Sequence, residues 1–202
     1  MIAIVDYGVG NLFSLSSSFR YIGEDAAVTG DRKTISNADK IVLPGVGAFG
    51  DAAQKLRETG LDSLLKEQAA AGKRIMGICL GMQLLFEKSY EYGEHEGLGL
   101  LKGEIVPMKG RISPDLNIPQ IGWNALHFKK DSLLLKNINE GDHVYFVHSY
   151  FADKCEDSLA ATTEYGIEMT AMVHKDNIMG CQFHPEKSGD VGLAILKAFS
   201  ED

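Results

Sequence analysis

The sequence is poor in cysteine, proline and tryptophan, and it is short of positive charge. It has three Cys, five Pro and one Trp in 202 residues. The cysteines (Cys79, Cys155, Cys181) are odd in number and none is in C-x-x-C spacing, so neither a disulfide framework nor a zinc site is indicated. Lys plus Arg number 20 against 28 Asp plus Glu, a net charge of −8. That deficit argues against nucleic acid or an anionic membrane as a partner. No apolar run approaches the ~18 residues of a membrane span. The first residues, Met1–Asp6, lack the basic start and long apolar stretch of a signal peptide. No His-x-x-x-His or His/Cys spacing suggests a metal, and no cofactor is expected. These absences lead to the expectation of a soluble protein of a reducing cytoplasm. The 45% apolar and 24% charged content is that of a globular chain. Its length suits a single domain, 1–202, without repeats or a dividing linker.

What is present begins with alternation. Ile2–Val5, Ile41–Leu43 and Ile75–Ile78 are short apolar runs that read as buried strands. Between them lie helical patterns: Leu12, Leu15, Phe19 and Ile22 at spacings of three and four, then Ala52–Glu58 and Leu61–Ala71, with Gly60 and Gly72 as stops. A further helix is expected from Met82 to Glu87. Strand and helix in this rhythm predict a parallel sheet covered on both faces. From Gly103 onward the chain turns to short β-like runs: Glu104–Met108, Ala125–Phe128, His143–Tyr150, Leu159–Thr163, Thr170–His174 and Ile178–Phe183. A closing helix, Val191–Phe199, should point Leu193, Ala194 and Leu196 at the core. The fold class predicted is a three-layer α/β sandwich with a mixed, mostly parallel central sheet, flavodoxin-like.

Gly77-Ile78-Cys79-Leu80-Gly81 has the form G-x-C-x-G where a strand hands over to a helix. With Ser at its centre this form is a nucleophile elbow, and the same geometry serves Cys. The turn is tight enough to require glycine two residues before and after the nucleophile. It lifts the sulfur beyond the carboxyl edge of the sheet, where open α/β folds place ligands. The N–H groups of the following helix favour a thiolate there. Cys155 and Cys181 lack this setting and read as small buried hydrophobes.

A base is needed next. His184 stands in Gln182-Phe183-His184-Pro185-Glu186 at the end of an apolar run. Pro185 keeps His184 extended, so Glu186, two residues on, can reach one ring nitrogen and leave the other for a thiol. His148 is the competing base. His95, His127, His143 and His174 read as surface residues.

Gly45-Val46-Gly47-Ala48-Phe49-Gly50 matches G-x-G-x-x-G, the mark of a dinucleotide loop. It does not follow the first strand, and no acidic residue closes a strand ~20 residues later as ribose recognition requires. The loop can instead supply backbone N–H groups to a developing oxyanion, with the Leu80 N–H as a second donor, or be a plain turn.

The elbow Gly77–Gln83 with His184-Pro185-Glu186 resembles the class I (triad) glutamine amidotransferases. Tyr7-Gly8-Val9-Gly10-Asn11, Pro44–Gly50, Ile121-Gly122-Trp123-Asn124, Tyr145–Tyr150 and Lys187-Ser188 bring the resemblance closest to the glutaminase subunits of imidazole glycerol phosphate synthases. The resemblance runs from Met1 to the closing helix. It implies a catalytic triad of Cys79, His184 and Glu186. It implies an oxyanion hole from Leu80 and one of Val46 and Gly47, and a glutamine site formed by Gln83, Glu91, Ser149 and Tyr150. Glu87, Glu94 and Glu96 compete with Glu91 for that role. It implies a (β/α)8-barrel cyclase as partner, receiving ammonia, with Asn11, Trp123, Tyr145 and Lys187 near the shared face. For Trp123 and Tyr145, ordinary aromatic packing in the core or at its rim is the alternative. The competing functions are the glutaminase subunit of an anthranilate or aminodeoxychorismate synthase, a non-catalytic dinucleotide-binding module, and an inactive scaffold.

Overall fold

A computed structural model describes residues 1–201. The apolar runs of the first eighty residues form the parallel half of its main sheet. In chain order the elements are β1 (Ile2–Val5), α1 (Leu12–Tyr21), β2 (Ala26–Thr29), α2 (Arg32–Asn37), β3 (Lys40–Leu43), α3 (Phe49–Glu58), α4 (Leu61–Ala70), β4 (Arg74–Ile78) and α5 (Leu80–Leu84). The second half contributes β5 (Lys88–Ser89), β6 (His95–Glu96), β7 (Glu104–Pro107), β8 (Gln120–Ala125), β9 (His127–Phe128), β10 (His143–His148), β11 (Tyr150–Asp153), β12 (Leu159–Glu164), β13 (Glu168–Lys175), β14 (Ile178–Cys181) and α6 (Gly189–Ser200).

Eight strands make the main sheet in the order β2-β1-β3-β4-β14-β13-β12-β9. The pairs from β2 through to β14 are parallel, and those from β14 to β9 are antiparallel. Along each central strand, successive side chains enter opposite faces. Ile41, Leu43 and Ile75 face one apolar layer with Ile35, Phe49, Leu56 and Leu65 of α2, α3 and α4. Val42, Met76 and Ile78 face the other, with Leu15 and Phe19 of α1 and Ile195, Leu196 and Phe199 of α6. The three-layer α/β architecture with a mixed sheet is therefore as the sequence predicts. Among the described residues, no helix is long and apolar enough to cross a membrane.

Several expectations are corrected. The helix after the elbow stops at Leu84 rather than Glu87 and spans five residues; it offers one turn of N–H groups, not a long dipole. β2 and α2 went unread: β2 is a half-exposed edge strand with little apolar signal, and α2 has six residues held by Asp31, whose carboxylate accepts from Thr34 N–H at 2.8 Å. The run His143–Tyr150 breaks at Ser149 into two strands of different sheets, β10 pairing with β8 and β11 with β7. β8 begins at Gln120, well before the expected Ala125, because its outward face carries exposed Ile121 and Trp123 and breaks the apolar run. In α6 the buried side chains are Ile195, Leu196, Ala198 and Phe199, while Leu193 and Ala194 are half-buried.

Candidate active site

The site exists because β4 and β14 are parallel neighbours. Ile78 pairs with Cys181, and the Cys79 N–H donates to the Cys181 carbonyl at 2.8 Å. Positions 79 and 182–184 thus leave the same carboxyl edge of the sheet side by side, a hundred residues apart in sequence. At the edge the chain turns sharply. Cys79 has φ 54° and ψ −114°, a conformation non-glycine residues adopt only where the surroundings enforce it. The enforcement is visible in the flanking glycines. A Cβ on Gly77 would lie 2.6 Å from Met82 N, and one on Gly81 would overlap the Leu43 carbonyl.

His184 is extended (φ −99°, ψ 98°), and Pro185 opens a 3-10 turn, Pro185–Lys187. Glu186 therefore reaches back across a turn rather than along a strand. Its Oε1 accepts from His184 Nδ1 at 2.8 Å, with both side chains buried. That bond leaves Nε2 for the sulfur. The base is braced from the backbone as well: its N–H donates to the Tyr145 carbonyl, and its own carbonyl accepts from Ser188 Oγ at 2.7 Å. Burial works against a charge on His184. Hydrogen bonds to Cys79 and Glu186 and their negative charge outweigh it and push the pKa up to about 10. At neutral pH the imidazole is a cation beside the sulfur.

His148, the competing base, is engaged elsewhere. Its Nδ1 donates to the Tyr150 carbonyl at 2.8 Å, and its Nε2 lies 3.0 Å from Gln120 Oε1. Burial pushes its pKa down to about 4, so it stays neutral. Of the other histidines only His143 is exposed; His95, His127 and His174 are half-buried. The His127 ring bonds Glu140, and the two nitrogens of His174 bond Ser132 and Asp176.

A cleft of about 380 Å³ opens over Cys79 and His184, within the range of small-molecule sites. Leu80, Val46 and Gly47 line it beside the sulfur, and Gln83, Glu91, Ser149 and Tyr150 complete its walls. Gly47 holds φ +95° with open space around it. The loop is pinned from below by Tyr7, whose buried O–H donates to the Pro44 carbonyl at 2.8 Å; burial raises the Tyr7 pKa and keeps it protonated. Of the four candidate acids only Glu91 lines the cleft. Its Oε2 accepts from the Phe49 N–H at 2.6 Å, capping α3. Glu87 bonds the Gly103 N–H, Glu94 faces Lys88, and Glu96 sits in a separate hollow with Arg57.

Asn11 and Lys187 line the cleft, while Trp123 and Tyr145 do not. These two aromatics meet edge to face, centroids 6.0 Å apart, and Lys187 Nζ stands 5.8 Å over the Tyr145 ring. Trp123 is 52% exposed, so the pair packs at the surface and not in the core. The dinucleotide-like loop is closed to a pyrophosphate. Gly50 lies inside α3, and the His95 ring fills the space above it, 2.7 Å from where a Cβ would be. Sequence reasoning assigned no role to Gln182, Tyr7 or Gln120. For Gln182 the available signal was a polar residue inside the apolar run Ile178–Phe183.

Residues 3–201 match the family described as glutamine amidotransferase class-I. Among curated proteins, the chain is 53% identical to the imidazole glycerol phosphate synthase subunit HisH of Caldanaerobacter subterraneus subsp. tengcongensis, covering 100% of this chain and 98% of that one. It is 52% identical to the HisH subunit of Sulfurimonas denitrificans over the same shares, and 48% identical to that of Aquifex aeolicus over 97% of this chain and 94% of the relative. Among solved structures, a glutamine amidotransferase superposes with a TM-score of 0.77 at 16% identity over 100% of both chains. PurLQS from Thermotoga maritima superposes with a TM-score of 0.75 at 21% identity, covering 98% and 96%. These two likenesses establish the shared fold. The chain belongs to the class-I glutamine amidotransferase family, in the branch of the imidazole glycerol phosphate synthase HisH subunits.

Proposed function

We infer that this chain hydrolyses L-glutamine to glutamate and ammonia through a thioester on Cys79, and delivers the ammonia to a cyclase subunit that forms imidazole glycerol phosphate. The observation that carries the reading is the paired Cys79 and His184 under an open cleft, with His184 held by Glu186. Family membership supplies the reaction class, and the HisH relatives supply the pathway.

The steps follow from the geometry. The Cys79 thiolate attacks the side-chain carbonyl carbon of glutamine. The resulting oxyanion rests on the Leu80 N–H and on an N–H of Val46 or Gly47, groups already fixed before the charge appears. The His184 imidazolium then protonates the amide nitrogen, the C–N bond breaks, and ammonia leaves. Neutral His184 next takes a proton from water, which attacks the thioester. The second tetrahedral adduct expels the thiolate and leaves glutamate. Throughout, Glu186 keeps the Nδ1 proton in place and so presents Nε2 to the chemistry. Gln83, Glu91 and the main chain of Ser149 and Tyr150 hold the amino-acid end of glutamine. Glu91 suits the α-ammonium: it is a carboxylate in the cleft wall, already ordered by the Phe49 N–H.

The partner is a (β/α)8-barrel cyclase, docked over the exposed strand that carries Ile121 and Trp123 and over the Tyr145–Lys187 pair. Exposed aromatic and aliphatic side chains beside a catalytic cleft are the composition of an interface core. Glutamate release from glutamine, measured for the chain alone and with the cyclase and its nucleotide substrate, tests the function. Release that rises when the cyclase complex is assembled and loaded is the expected result. No glutamate under any of these conditions refutes the reading.

A further inference from the structure

We propose that Gln182 is a further catalytic residue of this site, a neutral hydrogen-bond donor that holds the Cys79 sulfur in its thiolate form. The inference rests on Cys79 being the nucleophile.

Gln182 is fully buried at the end of β14. A polar amide in that position persists only if its hydrogen bonds are made. They are made by a continuous chain of buried groups. Gln182 Nε2 lies 3.7 Å from Cys79 Sγ, within N–H···S reach. Gln182 Oε1 accepts from Gln83 Nε2 at 2.9 Å. Gln83 Nε2 donates its second proton to the Tyr150 carbonyl at 3.1 Å, which also accepts from His148 Nδ1.

The direction of this chain is fixed by its anchor. The Tyr150 carbonyl can only accept, so the nearby atom of Gln83 is the nitrogen. With that nitrogen donating, the facing atom of Gln182 must be its oxygen. The Gln182 amide nitrogen is then the atom left pointing at sulfur. The flipped amide would set two NH₂ groups against each other and an oxygen against a thiolate, so both ends select the same orientation.

The titratable groups around the sulfur are His184 with Glu186 behind it, Tyr7, Cys181 and His148, with Glu91, Tyr150 and Lys187 in the walls of the same cleft. Burial keeps Tyr7, Cys181 and His148 uncharged, and of the two cations, His184 and Lys187, His184 is the one hydrogen-bonded to the sulfur. During catalysis His184 gives up its proton to the leaving nitrogen. At that moment the sulfur, bonded in the thioester, awaits re-formation of the anion. When the second adduct expels the thiolate, His184 has regained a proton from the attacking water, and Gln182 is the donor to sulfur that stays in place throughout without any proton transfer. A hydrogen bond to a charged acceptor is the stronger kind, so Gln182 favours the ionised sulfur over the thiol.

The test is the pH dependence of Cys79 alkylation by iodoacetamide in the full-length chain, followed by mass spectrometry; it needs neither glutamine nor partner. Cys155 and Cys181 are buried with raised pKa values and react slowly. Gln182→Met removes the donor at similar volume. Its rate–pH curve is expected to rise about one pH unit later than the wild type, about tenfold slower below the rise, with the same high-pH plateau, as loss of one charge-assisted bond implies. Gln182→Glu keeps size and the oxygen that faces Gln83 but turns a carboxylate oxygen to the sulfur; its curve should lie later still, and it decides the matter if Gln182→Met does not fold. In glutamine hydrolysis both variants should lower kcat by about 10-fold or more, and Gln182→Glu, which keeps the oxygen that faces Gln83, should leave KM nearly unchanged. Curves for the variants that superpose on the wild type overturn the assignment of Gln182. A wild-type curve rising only at about pH 8.5 or above, as for an unassisted thiol, overturns instead the reading of Cys79 as nucleophile.

Discussion

Cys79→Ala is expected to abolish glutamine-driven turnover, by about 10⁴-fold or more, while the complex supplied with external ammonia keeps its synthase rate. The magnitude follows from the chemistry. Without the sulfur there is no thioester, and the remaining groups can only direct water at an unactivated amide. Knocking out the nucleophile of such a unit costs about as much as removing the whole unit. Ammonia rescue follows because the variant removes only the sulfur, while Trp123, Tyr145 and Lys187 keep the contacts they make with one another. The fold should tolerate the change, because Ala leaves the φ 54° turn and its glycine clearances as they are. Two assays on the same preparation check it: glutamate release, and product formation with ammonium salt at alkaline pH. Full glutamine-driven turnover in the variant would remove Cys79 from the mechanism. Loss of both activities would show damage beyond the nucleophile.

His184→Ala is expected to fall nearly as far, about 10⁴-fold or more in kcat, and Glu186→Ala to fall about 10- to 100-fold less. In the proposed mechanism the imidazole supplies two separate services: its positive charge stabilises the thiolate before attack, and its proton releases ammonia. Removing it cancels both. Glu186 acts through His184, by fixing the Nδ1 proton across the 2.8 Å bond. Without it the ring keeps its backbone bracing through Tyr145 and Ser188 and its place beside the sulfur. Burial would then act on the imidazole with less opposition, so the cation is lost at lower pH than the present value of about 10. The pH profile of Glu186→Ala should accordingly decline from a lower pH on its alkaline side. Equal losses in the two variants would mean that Glu186 does more than orient the base.

The elbow was legible because its constraints are local. Tightness demands Gly77 and Gly81, and apolar strand runs mark where the turn must sit. Pro185 likewise announced an extended His184. The contact between positions 79 and 182 was not legible, since it depends on β14 inserting next to β4 in parallel register. Nothing in the run Ile178–Phe183 distinguishes an antiparallel neighbour from a parallel one. For the same reason the sequence alone does not place Gln182 beside the sulfur. β8 begins before the apolar run because Ile121 and Trp123 face outward, where the alternation of a half-buried strand places polar residues. Exposed apolar residues on a strand read as a failure of pattern until a partner surface is considered. The break at Ser149 was hidden because β10 and β11 are both apolar, and only their pairing in separate sheets reveals it.

The central claim is that one sulfur atom, Cys79 Sγ, forms the covalent bond to the glutamine side-chain carbon. Incubating the assembled complex with 6-diazo-5-oxo-L-norleucine, a glutamine analogue that alkylates such a nucleophile, and mapping the product by peptide mass spectrometry tests it most directly. The account predicts one adduct, on the peptide holding Cys79, blocked by excess glutamine and absent in His184→Ala at neutral pH. An adduct on Cys155, on Cys181 or on no residue, in a preparation that makes glutamate from glutamine, would contradict it.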